Sequence, residues 1–516
     1  MVSEQIVTEA DALSENASVR PDHTALIFGE ERVSYGLLDE RATRIANGLL
    51  SLGLDPRGRI AILSRNSATY FELLFGIMRA GMATLPLNWR LAGPEIVYIL
   101  EDARIECVFY EDDFAATVEA ARAQCPRLRS AIAIEGTGPD GLAAWRDRQS
   151  TARPEVRSDP EDVMIQFYTS GTTGHPKGVQ ISHRSSRAMR EMEVGRHEDW
   201  QQWDSGDVAI VALPNFHLSG TSWALQWLAR GATCVVHPQV DAEASLRAIQ
   251  QHGVTQIMTI PTVIQMMLDH PDFASTDTSS LRNVFYGGMR MPAPMLRRAR
   301  AALGSNFIQI YGMTEHNGSA CYLTPEDHVR ADQDEELLKS CGRPLLHVSL
   351  RIMDGEGQEV PVGEVGEVCL SSPSLMNGYW NRPDIAGEVM FGEYYRTGDA
   401  GYRNAEGYLF LVDRVKDMIV SGGENVYPAE VERILYEHPG VSEVAVIGVP
   451  DERWGEAVKA VVVRKDENVT GDELIAFARG RIASYKLPKT VDFLDALPRN
   501  ANGKILKRDL RAQYAA

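Results

Sequence analysis

At 516 residues the chain is too long for one hydrophobic core, and an ordinary balance of 44% hydrophobic and 24% charged residues argues against extended disorder. A formal net charge of −19 leaves no basic surface for a nucleic-acid backbone, so nucleic acid is not an expected partner; a local basic pocket for a nucleotide remains compatible. The cysteines (Cys107, Cys125, Cys234, Cys321, Cys341, Cys369) form no CxxC pair and fit neither a zinc site nor a disulfide framework, which points to reduced thiols.

The first residues, MVSEQIVTEADALSENASVRPD, lack the basic and apolar regions of a signal peptide. No apolar run reaches the ~20 residues of a membrane helix. A cytoplasmic protein without integral membrane association is expected, and homodimerisation stays open. Within residues 58–88, residues 60–63 read as a short strand. Tyr70, Leu73, Leu74, Ile77 and Met78 then recur at helical spacing, Gly81 acts as a stop, and residues 83–87 return as strand. Residues 254–268 repeat the pattern, QIMTI followed by VIQMML. Such alternation implies parallel sheets covered by helices on both faces, with ligands at the carboxyl ends of the strands.

Around residues 345–371 short strands and Gly/Pro turns replace this texture, and DGEG is a hairpin signal. The last hundred residues read as α+β. Pro428 opens a helix to about Glu437, residues 441–449 and 457–463 are strands, and Thr470-Gly-Asp-Glu473 has the capping-box pattern before a helix ending near Ala483. The expected architecture is a large N-terminal α/β domain, residues 1–413, with two parallel-sheet α/β subdomains and a small β subdomain at about 340–413. A separate small α+β C-terminal domain, residues 414–516, follows the charged stretch DRVKD.

Residues 168–179, YTSGTTGHPKGV, carry the densest chemistry. Gly171 and Gly174 let backbone N–H groups approach phosphate oxygens, Thr169, Ser170, Thr172 and Thr173 add hydroxyl donors, and Lys177 adds a charge. A P-loop spacing, G-x-x-x-x-G-K-[ST], fails: Pro176 stands where the second glycine should be if counting starts at Gly171, Val179 if it starts at Gly174, and Lys177 is followed by Gly178.

YTSGTTGHPKGV resembles the signature loop of the adenylate-forming superfamily: acyl- and aryl-CoA synthetases, luciferases and peptide-synthetase adenylation domains. Further motifs follow in order along essentially the whole chain. Tyr311-Gly312-Met313-Thr314-Glu315 resembles Y-G-x-T-E, which implies that Tyr311 stacks on adenine, Thr314 bonds the α-phosphate and Glu315, with Thr169, holds Mg²⁺. Gln309 matches the amide near the adenine amino group, and Gly287-Gly288 the glycine pair on adenine's other face. Tyr395-Arg-Thr-Gly-Asp399 resembles the motif whose Asp binds the ribose hydroxyls, and Arg414 the next ribose or phosphate contact. Asn500-Ala-Asn-Gly-Lys504, headed by Pro498, resembles the C-terminal motif whose Lys504 bridges the substrate carboxylate and α-phosphate. Lys416 matches the hinge about which the small domain turns. Ser421, Gly422, Gly423 and Asn425 match the segment lining the thiol channel.

The resemblance implies ATP, Mg²⁺ and coenzyme A, and a two-step reaction through an acyl-adenylate. His217 in Pro214-Asn-Phe-His-Leu-Ser-Gly220 stands where amino-acid-activating members carry Asp, which speaks against an amino acid; it resembles the gate residue of CoA ligases. The chain ends twelve residues after Lys504, in Tyr-Ala-Ala without an SKL address, which favours free coenzyme A as acceptor. Ile310 and Met289 replace the smaller residues common in relatives. With Trp223, and Met266 and Met267 as further candidates, they suggest a narrowed acyl pocket for a hydrophobic aryl or short- to medium-chain acid. Alternatives are transfer to a carrier protein and a degenerate member that only binds nucleotide or acyl ligand.

Overall fold

The computed structural model describes residues 8–169, 176–194, 199–289, 291–414, 417–421, 424–451, 455–482, 484–499 and 505–514. The chain divides into two compact units, Met1–Ser349 with Ser371–Val389, and Leu350–Leu370 with Met390–Ala516. The mainly β stretch is thus shared: residues 371–389 belong with the first unit, and its other strands group with the C-terminal residues.

Among the described residues the first unit holds a nine-stranded and a seven-stranded sheet. In the larger, the order runs Arg343–Pro344, Gly318–Leu323, Asn306–Met313, Asn283–Gly287, Gln256–Thr259, Val208–Val211, Thr233–Val236, Thr24–Phe28, Glu31–Ser34. The strands from Asn306–Met313 to Thr24–Phe28 pair in parallel, and antiparallel strands close both edges. In the smaller sheet, Val163–Thr169, Ala83–Pro86, Arg59–Leu63, Cys107–Tyr110 and Ser130–Ala133 are parallel. Lys177–Ser182 and Gly378–Tyr379 extend it antiparallel beyond Val163–Thr169.

The periodic segments form as their patterns require. Ser67 caps Ala68–Arg79 by accepting from Tyr70 N–H at 3.1 Å, and Gly81 leaves the helix at φ +73°. Gly76 in that helix is a packing glycine, since a Cβ there would stand 2.5 Å from Ile45 Cγ2 of the helix Tyr35–Ser51. A large cluster including Ile210, Leu246, Ile257, Val284 and Phe307 fills one face of the nine-stranded sheet. No helix of the described residues is long and apolar enough to cross a membrane.

Among the described residues the second unit holds two five-stranded sheets. The DGEG hairpin is present: Asp354 N–H donates to Gln358 O at 2.9 Å, and Gly357 takes φ +78°. In the C-terminal sheet, Val441–Asp451 and Gly455–Arg464 form a long antiparallel pair, and Thr490–Phe493 joins in parallel. The helix opened by Pro428 runs to Tyr436. The helix after Thr470 is shorter than expected, Gly471–Ala478, because Gly480 turns at φ +79°. Thr470 does accept from Glu473 N–H at 3.2 Å, while the Glu473 carboxylate lies 3.4 Å from His438 Nε2.

Candidate active site

The carboxyl ends of both parallel sheets of the first unit converge. Residues 212–217 follow Val208–Val211, Gly288 follows Asn283–Gly287, and Thr314 follows Asn306–Met313. Beyond Arg59–Leu63, Asn66 donates through Nδ2 to Leu213 O at 2.9 Å and accepts from Asn215 N–H at 2.9 Å. Trp89 meets Phe216 edge to face at 6.3 Å. The loop carrying His217 is therefore pinned between the sheets. His217 is half-buried, precedes the helix Leu218–Ala229, and packs its ring on Phe216 at 4.6 Å.

Thr169 ends the strand Val163–Thr169 and pairs with Lys177, so the glycine-rich loop joins two antiparallel strands. A P-loop runs from strand into helix; among the described residues the strand Lys177–Ser182 follows instead. Ser170, Gly171, Thr172, Thr173 and Gly174 lie outside the described residues. The base of this hairpin is braced by residues that the sequence motif does not reveal. Tyr168 donates to Asp102 Oδ2 at 2.5 Å, Arg59 Nε donates to Gln166 Oε1 at 2.6 Å, and the Arg59 guanidinium lies 3.4 Å over the Trp380 ring. Burial lowers the Arg59 pKa to about 10, still charged at neutral pH. Burial, then the Asp102 carboxylate, raises that of Tyr168, which stays a donor. Gly178 serves this packing: a Cβ there would stand 2.5 Å from Gln166 Nε2.

The YGMTE segment carries a register shift between Tyr311 and Gly312 and leaves the sheet after Met313, which still pairs with Gly318. Tyr311 is buried, Gly312 exposed, and Met313, Thr314 and Glu315 half-buried. Asn317 closes the turn at φ +57°. His316, behind Glu315, is fully buried; burial lowers its pKa to about 4, and Ser374 Oγ lies 3.4 Å from its Nε2. Residues 372–380 run across this turn as a strap. Met376 N–H donates to Glu315 O at 2.9 Å, and Tyr379 O–H donates to Glu315 Oε1 at 3.0 Å. The strap also pairs with the hairpin of Thr169 and Lys177, Gly378 with Gln180 and Tyr379 with Val179, and Lys177 Nζ lies 5.3 Å from the Tyr379 ring centre. Asn377-Gly-Tyr-Trp380, with Gly378 at φ +131°, was the one sequence signal for it.

Gln309 is buried; its Nε2 donates to Ser340 O at 3.2 Å, and Tyr286 O–H lies 3.3 Å from its Oε1. Gly287 pairs with Ile310, whose carbonyl oxygen would stand 2.9 Å from a Cβ on Gly287, whereas Gly288 adopts φ +79°. Each glycine thus answers a backbone constraint of its own. Ile310 is half-buried, Met267 sits in the core, and Met289 and Met266 are 56% and 51% exposed. Trp223 is only 7% exposed and belongs to an aromatic nest, 4.7 Å from Phe285, 5.5 Å from Trp203 and 5.6 Å from Trp227.

In the second unit, the register sets Asp399 opposite Arg414. Asp399 is nearly buried, and its N–H donates to Thr397 Oγ1 at 3.1 Å. Ser421 is buried and pairs with Glu424. Asn425 is placed through its backbone pairing with Val420, and Lys416, Gly422, Gly423 and Lys504 lie outside the described residues.

No group of three or more His, Cys, Asp or Glu among the described residues could hold a metal by itself. Glu315 nonetheless fits Mg²⁺. This hard cation takes one or two carboxylates and completes its shell with phosphate oxygens and water, and an ionised carboxylate supplies the oxygen donors it prefers.

A large α/β unit followed by a smaller C-terminal one, with this order of motifs, defines an adenylate-forming enzyme. The AMP-binding enzyme family matches residues 13–380 and the AMP-binding enzyme C-terminal domain residues 430–504. The chain belongs to this family, among its AMP-forming acid–thiol ligases, which use ATP and coenzyme A. Feruloyl-CoA synthase of Amycolatopsis sp is 39% identical over 500 residues, 96% of this chain and 97% of that one. Fatty acid–[acyl-carrier-protein] ligase ScoC of Streptomyces coeruleorubidus is 38% identical over 512 residues, 99% and 97% of the two chains. Among solved structures, Mycobacterium tuberculosis fatty acyl CoA synthetase aligns with a TM-score of 0.81 at 34% identity over 99% of both chains. ATP-bound MatB from Rhodopseudomonas palustris aligns with a TM-score of 0.86 at 30% identity, over 98% of this chain and 99% of that one.

Proposed function

We propose that the chain activates an aryl or short- to medium-chain carboxylic acid with ATP and Mg²⁺ and transfers the acyl group to free coenzyme A. The observation that carries this reading is the strap at Tyr379, which ties the hairpin of Thr169 and Lys177 to the Glu315 turn within one unit. A loop for the departing phosphates and a carboxylate for the cation are what adenylyl transfer needs together.

In the first step a substrate carboxylate oxygen attacks the α-phosphorus, and pyrophosphate leaves. Thr169–Gly174 and Lys177 hold the β- and γ-phosphates. Thr314 and Lys504 steady the α-phosphate, with Lys504 offsetting the repulsion between two anions. Mg²⁺ on Glu315 and Thr169 would neutralise charge on the pyrophosphate. Tyr311, Gln309, Gly287 and Gly288 receive adenine; Asp399 and Arg414 receive ribose. In the second step a thiol attacks the acyl carbon and AMP leaves, with Ser421, Gly422, Gly423 and Asn425 lining its approach and Lys416 as the hinge. His217 gates the carboxylate.

The aromatic nest supports a short pocket. Trp223, on the helix Leu218–Ala229, cannot move aside without displacing Trp203, Trp227 or Phe285. Likeness to a fatty acid–[acyl-carrier-protein] ligase keeps a second reading, transfer to a carrier protein. A pyrophosphate-release screen over aliphatic and aromatic acids, followed by thioester assays with free coenzyme A and with a carrier protein, separates the two. Release without any thioester to free coenzyme A would rule out the first.

A further inference from the structure

Tyr379 belongs to no motif that marks the site, yet one side chain meets both charged groups assigned to the departing pyrophosphate. Its hydroxyl donates to Glu315 Oε1 at 3.0 Å, and its ring carries Lys177 Nζ at 5.3 Å from the centre. A hydrogen bond to a carboxylate is strong and directional, and an ammonium over a phenol ring is held by the ring's quadrupole.

The backbone around Tyr379 is registered against both partners. It pairs with Val179, two residues from Lys177, and Trp380 N–H donates to Gly178 O at 2.7 Å. Three residues before it, Met376 N–H donates to Glu315 O at 2.9 Å. Trp380 is clamped by Arg59 over its ring and by donation from Nε1 to Asp102 O at 2.7 Å. A side chain so rooted measures a fixed distance between the hairpin and the turn.

We propose that Tyr379 is a positioning residue that fixes the Glu315 carboxylate for Mg²⁺ through its hydroxyl and orients Lys177 toward the β- and γ-phosphates through its ring. The inference rests on the roles given above to Glu315 and Lys177. The two contacts are separable: phenylalanine keeps the ring and loses the hydroxyl, and leucine loses both.

The test measures ATP binding by calorimetry across free Mg²⁺ concentrations for wild type, Tyr379→Phe, Tyr379→Leu and Glu315→Gln, each first checked by thermal melting. No acid substrate is required. For Y379F the Mg²⁺ concentration giving half the binding enhancement should rise about tenfold, the effect of one lost charged hydrogen bond, with affinity restored at saturating Mg²⁺. Y379L should show the same Mg²⁺ shift and an additional loss of about threefold in ATP affinity that saturating Mg²⁺ does not restore. An unshifted Y379F beside a strongly shifted E315Q overturns the proposal and leaves the assignment of Glu315 standing. An unshifted E315Q overturns that assignment and the proposal with it. Should Y379F fail to fold, Y379L carries the same Mg²⁺ comparison.

Discussion

The carbonyl oxygen of Gly318 occupies the place where a Cβ on Gly312 would stand, so the YGMTE turn closes backbone against backbone. The glycine of this motif is therefore set by the protein's own chain. Gly312→Ala must push apart the antiparallel strands Asn306–Met313 and Gly318–Leu323, at a cost of about 1–3 kcal/mol. Gly93, which begins the helix Gly93–Asp102 with open space around its Cβ position, is the control. Thermal melts should show a drop for G312A and none for G93A; equal melts would remove the steric argument.

Buried histidines make stability depend on pH, and His183 and His328 join His316 in this. Burial lowers His183 to about 4, with the nearby Glu9 and Asp11 carboxylates partly opposing. Burial also lowers His328 to about 4. The His328 Nδ1–H faces Thr324 O at 2.7 Å, which leaves Nε2 to accept from Tyr286 O–H at 2.9 Å. Both folded values lie below the unfolded value of 6.5, so the unfolded chain takes up these protons first. Their contribution is complete above pH 6.5 and is lost as pH falls toward 4, by about 3 kcal/mol per histidine across the whole window. Urea denaturation at several pH values should show this decline, and His183→Gln should make it shallower by the share of one histidine. A wild-type stability that is level between pH 6.5 and 4 would falsify the assignment.

Asp399 is expected to bind the ribose through both hydroxyls. Asp399→Asn should weaken ATP binding about 10- to 100-fold, the range for lost hydrogen bonds to a charged group. The wild type should prefer ATP over 2′-deoxy-ATP, and D399N should discriminate far less. Undiminished discrimination in D399N would place the ribose elsewhere.

Lys504 offers a cleaner division of the two half-reactions. Lys504→Ala should abolish pyrophosphate release yet spare thioester formation from supplied acyl-AMP, because the second step has no α-phosphate attack to assist. Equal impairment of both steps would contradict the assignment of Lys504 to the first step alone.

What the sequence disclosed followed the range of its interactions. Tyr70, Leu73, Leu74, Ile77 and Met78 announced their helix and Gly81 its end because both depend on near neighbours. DGEG gave its hairpin for the same reason. Thr470 capped as expected, but Glu473 turned to His438, a partner 35 residues away that no local pattern names. The Tyr379 strap and the nest of Trp203, Trp223, Trp227 and Phe285 join segments far apart in the chain, whereas Gly178 and Gly312 answer to the strand just across their own turns. A motif reports which residues share a site; the packing that holds them emerged only with the fold.

Pocket depth gives the last prediction. Ile310 is half-buried on the strand Asn306–Met313, and its Cβ would stand 3.4 Å from a Cβ on Gly287, so the two positions share one side of the sheet beside the glycine pair. On the helix Leu218–Ala229, Trp223 is locked by neighbouring rings and cannot yield. Removing the Ile310 side chain is then the direct way to lengthen the space. Ile310→Gly should shift the preferred aliphatic acid by two or more carbons, at a strand cost of about 1 kcal/mol. Pyrophosphate release over a series of straight-chain acids measures it. An unchanged chain-length optimum in a folded I310G would show that Ile310 does not bound the acyl pocket.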